Sequence, residues 1–148
     1  MRALVQRVAG GSVSIDGRIH ASIGGGLVIL LGVRQDDTEG GARFLADKCA
    51  ALRIFEDSGG KMNISLLESG GSALIVSQFT LYADAQRGNR PSFAAAARPG
   101  EAEPLYELFV ARMRETLGGT RVATGVFGAM MKVHLVNDGP VTILIESK

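Results

Sequence analysis

The sequence predicts an α+β fold: a layered β-sheet, either a β-β-α sandwich or a barrel-like sheet, with two helices packed on one side. The order of the elements predicts this, because a β-rich start, one helix, more strands, a second helix and a closing β segment follow one another. Glycine is abundant, with 20 residues, about twice the usual share of roughly 7%, which indicates many tight turns. At 148 residues the chain can bury about two-thirds of its unfolded surface, and we expect one domain over residues 1–148.

Short apolar runs predict the strands of the N-terminal part. Residues 4–8, 12–15 and 18–23 have strand character, and Asp16-Gly17 is a good two-residue hairpin turn between the last two. Residues 27–33 form a continuous aliphatic run. A run of that kind is typical of a central strand buried on both faces.

Two segments have helical patterns. Residues 36–38 supply N-cap candidates for a first helix that we expect to run to about Arg53, with Cys49 on its core face as a small apolar residue. A second helix begins at about Glu101 and stops at Gly118. We interpret this second helix as packing material.

The hexapeptide of residues 137–142 stands between two apolar runs, 133–136 and 141–145. Asp-Gly between such runs predicts a hairpin, because both turn positions can take a positive φ. The proline that follows cannot donate to a strand ladder. Either it opens the second strand of the hairpin, or Gly139-Pro140 presents an unusually bare backbone at the strand tip.

Composition excludes several classes of protein. The net charge of +1 argues against broad electrostatic wrapping of nucleic acid and leaves a local contact with a few phosphates open. No apolar run approaches the roughly 18 residues of a membrane span, and residues 1–7 do not resemble a signal peptide. The single cysteine, Cys49, excludes an internal disulfide and fits a reducing cytosol, so we expect a cytoplasmic protein.

Conventional catalytic sets are scarce. The two histidines, His20 and His134, fall on short strands with no metal-ligand spacing, and no Gly-x-Ser-x-Gly elbow is present. Polar residues do end a buried aliphatic strand, at Ser77, Gln78 and Thr80. Each is costly there by about 1–3 kcal/mol unless paired, so they are either satisfied structurally or aimed at a ligand. A site of hydroxyls, amides and backbone can stabilise an oxyanion without a strong general base.

A loop over residues 83–100 carries Arg87 and Arg90. Two interpretations of these arginines stay open, simple surface solvation and a contact with a phosphate or carboxylate.

Three motifs give the chain a specific resemblance. In order they are Ser77-Gln78-Phe79-Thr80-Leu81, Arg90-Pro91-Ser92-Phe93 and Asn137-Asp138-Gly139-Pro140-Val141-Thr142. With the opening Met1 to Val8, Leu31-Gly32-Val33 and Gly60-Lys61-Met62-Asn63, the sequence resembles the D-aminoacyl-tRNA deacylase family over essentially its whole length. The match is looser around residues 125–131, where Phe127 and Met131 are retained.

The resemblance implies a homodimer with two sites at the subunit interface. Ser77, Gln78, Phe79 and Thr80 of one subunit would be catalytic, and a cis Gly139-Pro140 of the partner subunit would bind substrate. Phe127 and Met131 would line the pocket. The implied reaction is hydrolysis of the ester joining a D-amino acid, or glycine mischarged on tRNA-Ala, to the tRNA 3′ end. The implied partner is that aminoacyl-tRNA end, without DNA, membrane, metal or cofactor.

We expect chiral proofreading by exclusion, in which an L side chain would point into the Gly139-Pro140 backbone. Backbone N–H groups around Phe79 and Thr80 would stabilise the oxyanion. Whether Thr80 orients water, acts as nucleophile or leaves the key step to the tRNA 2′-hydroxyl stays open. One alternative is a non-catalytic dimeric module that binds an RNA 3′ end or small metabolite. A metal-dependent hydrolase is disfavoured by the ligand count.

Overall fold

The structure, a computed structural model, describes residues 1–147 and has the predicted α+β architecture, a barrel-like sheet with helices against one side. The strands are β1 (Arg2–Ile15), β2 (Arg18–Ile23), β3 (Gly26–Gly32), β4 (Phe55–Glu56), β5 (Met62–Ile64), β6 (Ser72–Ser77), β7 (Val122–Thr124) and β8 (Lys132–Glu146). The helices are α1 (Glu39–Ala51), α2 (Leu66–Ser69) and α3 (Pro99–Leu117), with 3₁₀ turns at Phe79–Tyr82 and Gly119–Arg121.

The main sheet is built around β1. β8 runs antiparallel along β1 from Ser14 back to Arg2, while β3 and β2 pair with successive halves of the other side. β3, β6 and β7 continue the sheet in parallel, in the order β2-β1-β3-β6-β7. The carboxyl ends of the parallel strands β3 and β6 therefore meet at one edge, where β6 ends at Ser77.

Two apolar clusters divide the interior according to the faces of β3. Leu27, Ile29 and Leu31 face the cluster that contains the buried residues of α1 and α3. Val28 faces the second cluster, inside the curled sheet, where residues of β2 and β8 close over it. The prediction that 27–33 is a central strand buried on both faces is confirmed, and both long helices lie on one side of the sheet.

The helix predictions hold with small shifts. Thr38 caps α1, because its hydroxyl accepts a hydrogen bond from the Gly41 N–H at 3.2 Å, and Cys49 lies fully buried in the core. α3 begins at Pro99, two residues earlier than expected, since proline at the first helical position has no N–H that needs an acceptor. Asp16-Gly17 forms the predicted hairpin turn with φ of 51° and 77°.

The hairpin predicted at residues 137–142 is wrong. β8 is one strand through this segment, because both of its halves pair with β1: Asn137 lies opposite Val8, and Thr142 lies opposite Gln6. The four residues between them, 138–141, face a single residue of β1 and form a bulge. The two halves of β8 lie end to end on the same neighbour instead of folding back on each other.

The Asn137 side chain replaces the missing ladder partner inside this bulge. Its amide oxygen accepts from the Val141 N–H at 2.7 Å, and its amide nitrogen donates to the Val141 carbonyl at 3.3 Å and to the Thr142 hydroxyl at 3.0 Å. Both backbone groups of Val141 are thereby satisfied without a partner strand. This pairing lets Gly139 and Pro140 stand out from the sheet.

Candidate active site

A cavity of about 610 Å³ opens where β6 ends, and it brings together most of the predicted site residues. Its floor comes from the ends of β3 and β6, and its far wall from the first turns of α3 and the segment before β8. The predicted residues on its wall are Ser77, Gln78, Phe79, Phe127 and Met131.

The chain turns sharply at the polar end of β6. The Gln78 N–H still donates to the Leu31 carbonyl at 2.8 Å, as in a strand, and the chain then enters the 3₁₀ turn. Gly32 allows this turn to lie close to β3. A Cβ at Gly32 would stand 3.1 Å from the Gln78 carbonyl oxygen and 3.1 Å from Leu81 Cβ. The turn can therefore occupy this position only because residue 32 is a glycine.

The 3₁₀ turn supplies the polar groups of the site. The first hydrogen bond inside the turn runs from the Leu81 N–H to the Gln78 carbonyl, at 3.3 Å. The N–H groups of Phe79 and Thr80 precede this bond, so the turn itself does not use them. The Gln78 side-chain amide donates to the Thr80 hydroxyl. In the described part of the chain, Thr80 is exposed and stands beside the cavity, outside its wall. Two adjacent N–H groups of this kind suit a developing oxyanion.

Tyr106 on α3 forms a wall of the cavity that the sequence reasoning missed. Its hydroxyl donates to the Ile75 carbonyl at 3.1 Å, and its ring lies 5.7 Å from that of Phe127. Burial raises the pKa of Tyr106 to about 12, so the phenol keeps its proton well above physiological pH. The spacing of Ala102, Tyr106 and Phe109 on one helical face was a signal that could have identified it.

Gly139 and Pro140 lie elsewhere, on the exposed bulge of β8, and their peptide bond is cis. Within residues 1–147 they do not contribute to the cavity wall of their own chain. Gly139 has a φ of 145°, a backbone conformation that favours glycine. A Cβ there would approach Val141 Cγ2 to 2.7 Å and the Val141 nitrogen to 2.9 Å, so no side chain fits.

Arg7 holds this bulge from the inside and was also missed. Its side chain is buried, its Nε donates to the Asp138 carbonyl at 2.8 Å, and its Nη1 donates to the Ile54 carbonyl at 2.7 Å. The signal in the sequence was positional. Arg7 continues the inward-facing positions Ala3 and Val5 of a strand, where a charged residue needs buried partners.

The cavity offers little acid–base chemistry of its own. Among the described residues that line it, the only side chain charged at neutral pH is that of Arg98. Cys49 lies in the core, where burial raises the pKa of its thiol to about 12, so it stays a neutral packing residue. His20 and His134 are exposed on their strands. Within residues 1–147, no group of three or more His, Cys, Asp or Glu side chains is placed to hold a metal ion.

Helices that could span a membrane are also absent from residues 1–147, since none is both long and apolar enough.

Known proteins similar to this chain match it over its whole length. The family model of the D-Tyr-tRNA(Tyr) deacylases matches residues 4–146. A D-aminoacyl-tRNA deacylase of Koribacter versatilis (strain Ellin345) is 60% identical over 148 residues, which cover 100% of this chain and 98% of that protein. A D-aminoacyl-tRNA deacylase of Thermus aquaticus is 55% identical over 147 residues, covering 99% of this chain and 95% of that protein.

Two solved structures share the fold. One, that of a "c-Myc DNA Unwinding Element Binding Protein", superposes with a TM-score of 0.95 at 40% identity and covers 100% of this chain and 99% of its own. Another, that of "a probable eukaryotic D-amino acid tRNA deacylase", has a TM-score of 0.84 at 19% identity, with 98% of each chain covered. The second supports the fold alone.

Fold, cavity and relatives together define a hydrolase of the deacylase class. The chain belongs to the D-Tyr-tRNA(Tyr) deacylase family, which confirms the family predicted from the three motifs.

Proposed function

We propose that this chain hydrolyses the ester bond between a D-amino acid, or glycine carried by tRNA-Ala, and the terminal adenosine of tRNA. The names of the relatives at 55 to 60% identity support this substrate class. The observation that carries the proposal is the 3₁₀ turn that begins at Phe79, because it follows directly on the polar residues Ser77 and Gln78 at the wall of a mostly apolar cavity. Such a cavity suits an aminoacyl group with its carbonyl at the turn.

In the proposed reaction a water molecule attacks the ester carbonyl carbon, and the bond to the 3′-oxygen then breaks. The N–H groups of Phe79 and Thr80 stabilise the negative charge on the tetrahedral oxygen. The leaving 3′-oxygen takes a proton as free tRNA and a D-amino acid form. The Thr80 hydroxyl, held by the Gln78 amide, orients the water, with the neighbouring tRNA 2′-hydroxyl as the second candidate. Ser77 and Gln78 hold the terminal ribose.

The proposed chiral filter is the cis Gly139-Pro140 backbone of a partner subunit. Support comes from its placement: the bulge is exposed, rigidly tied to Arg7 and Asn137, and apart from the cavity of its own chain. The outer face of β8 also exposes Val136 (64%) and Leu144 (54%), apolar surface that a homodimer would cover. An L side chain would collide with this backbone, and a D side chain would point away.

The test compares Thr80→Ala and Gly139→Ala on D- and L-aminoacyl-tRNA. Thr80→Ala is expected to slow D-substrate hydrolysis by at least about tenfold, and by about a hundredfold or more if its hydroxyl acts as a general base. Gly139→Ala is expected to reduce the ratio of D to L rates. Gly60→Ala is the matched control, because Gly60 also has a positive φ of 75° but has open space around it, in the turn between β4 and β5. Wild-type rates and wild-type L-rejection in both site variants would refute this assignment.

A binding module is the second candidate, favoured by the scarcity of acid–base side chains around the cavity. The solved structure at 40% identity is that of a protein named for binding a DNA unwinding element. Incubation of pure protein with D-Tyr-tRNA separates the two candidates, since an ester that survives high protein concentration supports the binder. Activity that persists in a chelator excludes a metal-dependent hydrolase. We place the activity in the cytoplasm, where aminoacyl-tRNA is found.

A further inference from the structure

We infer that the segment of residues 84–98, here called the arginine loop, together with Phe79, binds the unpaired nucleotides that precede the terminal adenosine of the tRNA. This inference rests on the proposed function, because it takes the terminal adenosine to lie in the cavity. It adds a second subsite for RNA at the mouth of the cavity, where Phe79, Phe93 and Arg98 line the cavity wall and the tip with Arg87 and Arg90 extends beyond it.

The base of the arginine loop is fixed at the mouth of the cavity. Asp84 and Ser92 exchange two backbone hydrogen bonds of 2.8 Å, which close the loop. Further on, the Ala97 N–H donates to the Val33 carbonyl at 3.0 Å, and the Gln35 side chain donates to the Ala94 carbonyl at 2.9 Å. The exposed tip, residues 85–91, therefore extends from a base that is bonded to the end of β3.

An exposed aromatic pair stands at this mouth. The rings of Phe79 and Phe93 are 5.1 Å apart with an interplanar angle of 69°, an edge-to-face arrangement that fixes both. Phe79 is 57% exposed and Phe93 is 39% exposed, although large apolar side chains are usually buried. Exposed ring faces of this kind are what single-stranded nucleic acid uses for stacking.

The charge of the loop complements a phosphate backbone. Arg87, Arg90 and Arg98 are exposed, and none of them forms an ion pair within residues 1–147. The one acidic residue of the segment is Asp84, whose carboxylate accepts from the Gln86 N–H at 2.9 Å. In a chain of net charge +1, this segment carries a local excess of two positive charges, three arginines against one aspartate.

The positions of the arginines and of Phe93 relative to the cavity determine which nucleotides of the tRNA would contact them. Arg98 lies on the cavity wall, and Arg90 is three residues from Phe93, so their Cα atoms are at most about 10 Å apart. An RNA strand that leaves the cavity past Phe79 meets Phe93 next and then the arginines. The bases nearest the terminal adenosine would stack on the aromatic pair, and their phosphates would contact the guanidinium groups.

The first test uses Arg87→Gln/Arg90→Gln with two substrates, D-Tyr-tRNA and 3′-O-(D-tyrosyl)adenosine. We expect the KM for the tRNA to rise about tenfold, while kcat/KM for the nucleoside ester stays at the wild-type value. The salt dependence of tRNA affinity should become less steep by about 1.4 in log–log slope, since about 0.7 is lost per single-strand phosphate contact. Arg18→Gln/Arg43→Gln, two exposed arginines outside the loop, is the control and should change neither substrate.

The second test compares Phe93→Ala with Phe93→Tyr, which keeps an aromatic ring. The alanine variant should raise the KM for tRNA about tenfold more than the KM for the nucleoside ester, within the range expected for loss of one stacked base, and tyrosine should restore it. Binding of an unacylated CCA trinucleotide, followed by fluorescence anisotropy, should weaken in parallel.

Several results would overturn the inference. Phe93 also lines the cavity, so equal losses on both substrates would show that it acts only on the aminoacyl-adenosine end. An alanine variant that dissociates from dimer to monomer in sedimentation would assign the aromatic pair to a subunit contact. Unchanged tRNA kinetics in the arginine variant, or no trinucleotide binding by the wild type, would also refute it. Wild-type protein that binds CCA but hydrolyses neither ester would refute the proposed function and leave the RNA subsite confirmed.

Discussion

Replacing Arg7 by methionine removes the group that holds the β8 bulge while keeping most of the apolar stem of the side chain. Two carbonyls then lose a charged donor, those of Ile54 and Asp138. The Ile54 carbonyl is part of the buried interior, where an unsatisfied acceptor costs about 1–3 kcal/mol. Asp138 is exposed, so water can replace the guanidinium there, and the net loss is about 0.5–1.5 kcal/mol.

The sum of these two terms is about 1.5–4.5 kcal/mol, with a midpoint of about 3 kcal/mol. The Glu56 carboxylate adds nothing to it, since it lies 4.0 Å from Arg7 Nη2 and is 61% exposed. In a chain of this length a loss of about 3 kcal/mol lowers the Tm by roughly 6–12 °C. Because Asp138 precedes Gly139, we also expect the variant to lose part of its discrimination between D- and L-aminoacyl-tRNA.

The assay is urea and thermal unfolding at one fixed protein concentration, so that any oligomerisation contributes equally to both proteins. Arg43→Met is the control, because Arg43 is exposed on α1 and should change the free energy of unfolding by less than about 0.5 kcal/mol. An Arg7→Met protein as stable as this control would show that the two hydrogen bonds do not hold the bulge. A loss of stability with unchanged rejection of L-aminoacyl-tRNA would show that the chiral filter does not depend on the Arg7 hydrogen bonds to the bulge.

Two further predictions concern the turn and the tyrosines. Gly32→Ala places a Cβ 3.1 Å from the Gln78 carbonyl oxygen, so we expect a loss of about 1–3 kcal/mol in the free energy of unfolding and slower ester hydrolysis. Gly100→Ala is the control, because Gly100 has open space around it and the variant should keep both stability and activity. Equal behaviour of the two variants would contradict the packing argument. Burial raises the pKa of both tyrosines, Tyr82 and Tyr106, to about 12. The neutral forms are favoured by folding, so this stabilisation is complete below pH of about 10 and is lost as pH rises towards 12. Ultraviolet titration of the folded protein should therefore show no phenolate near pH 10, whereas the denatured chain should titrate there.

Much of the fold could be predicted because its signals are local. An unbroken aliphatic run identifies β3, a cap residue followed by a periodic pattern identifies α1, and Asp16-Gly17 identifies the first hairpin. The segment of residues 61–67 is ambiguous by its apolar pattern, and the Ser65-x-x-Glu68 spacing that marks its helical turn was missed. It divides between the short strand β5 and the single turn of α2, which Ser65 and Glu68 stabilise as a capping box.

The site was predictable to the extent that its residues break a local rule. Polar residues at the end of buried β6 stood out by their desolvation cost, and the structure does place Ser77 and Gln78 on the cavity wall. Tyr106 and Arg7 each left a local signal, a place on the buried face of α3 and an inward-facing position on β1, but neither signal identifies the group that the side chain contacts. Their roles follow from distant partners, the Ile75 carbonyl for Tyr106 and the Ile54 and Asp138 carbonyls for Arg7.

The bulge of β8 shows why a strong local signal can give the wrong structure. Asp138-Gly139 is compatible with a hairpin turn and also with a bulge in a continuous strand, and the neighbouring strand decides which of the two forms. Because β1 is long enough to pair with residues on both sides of the bulge, the chain continues instead of reversing. Asn137 then supplies the hydrogen bonds that a hairpin partner would have made, and Arg7 supports the segment from below. A hairpin tip held only by its own turn would be mobile, whereas a bulge bonded on both sides keeps Gly139-Pro140 in one position, as a filter based on atomic overlap requires.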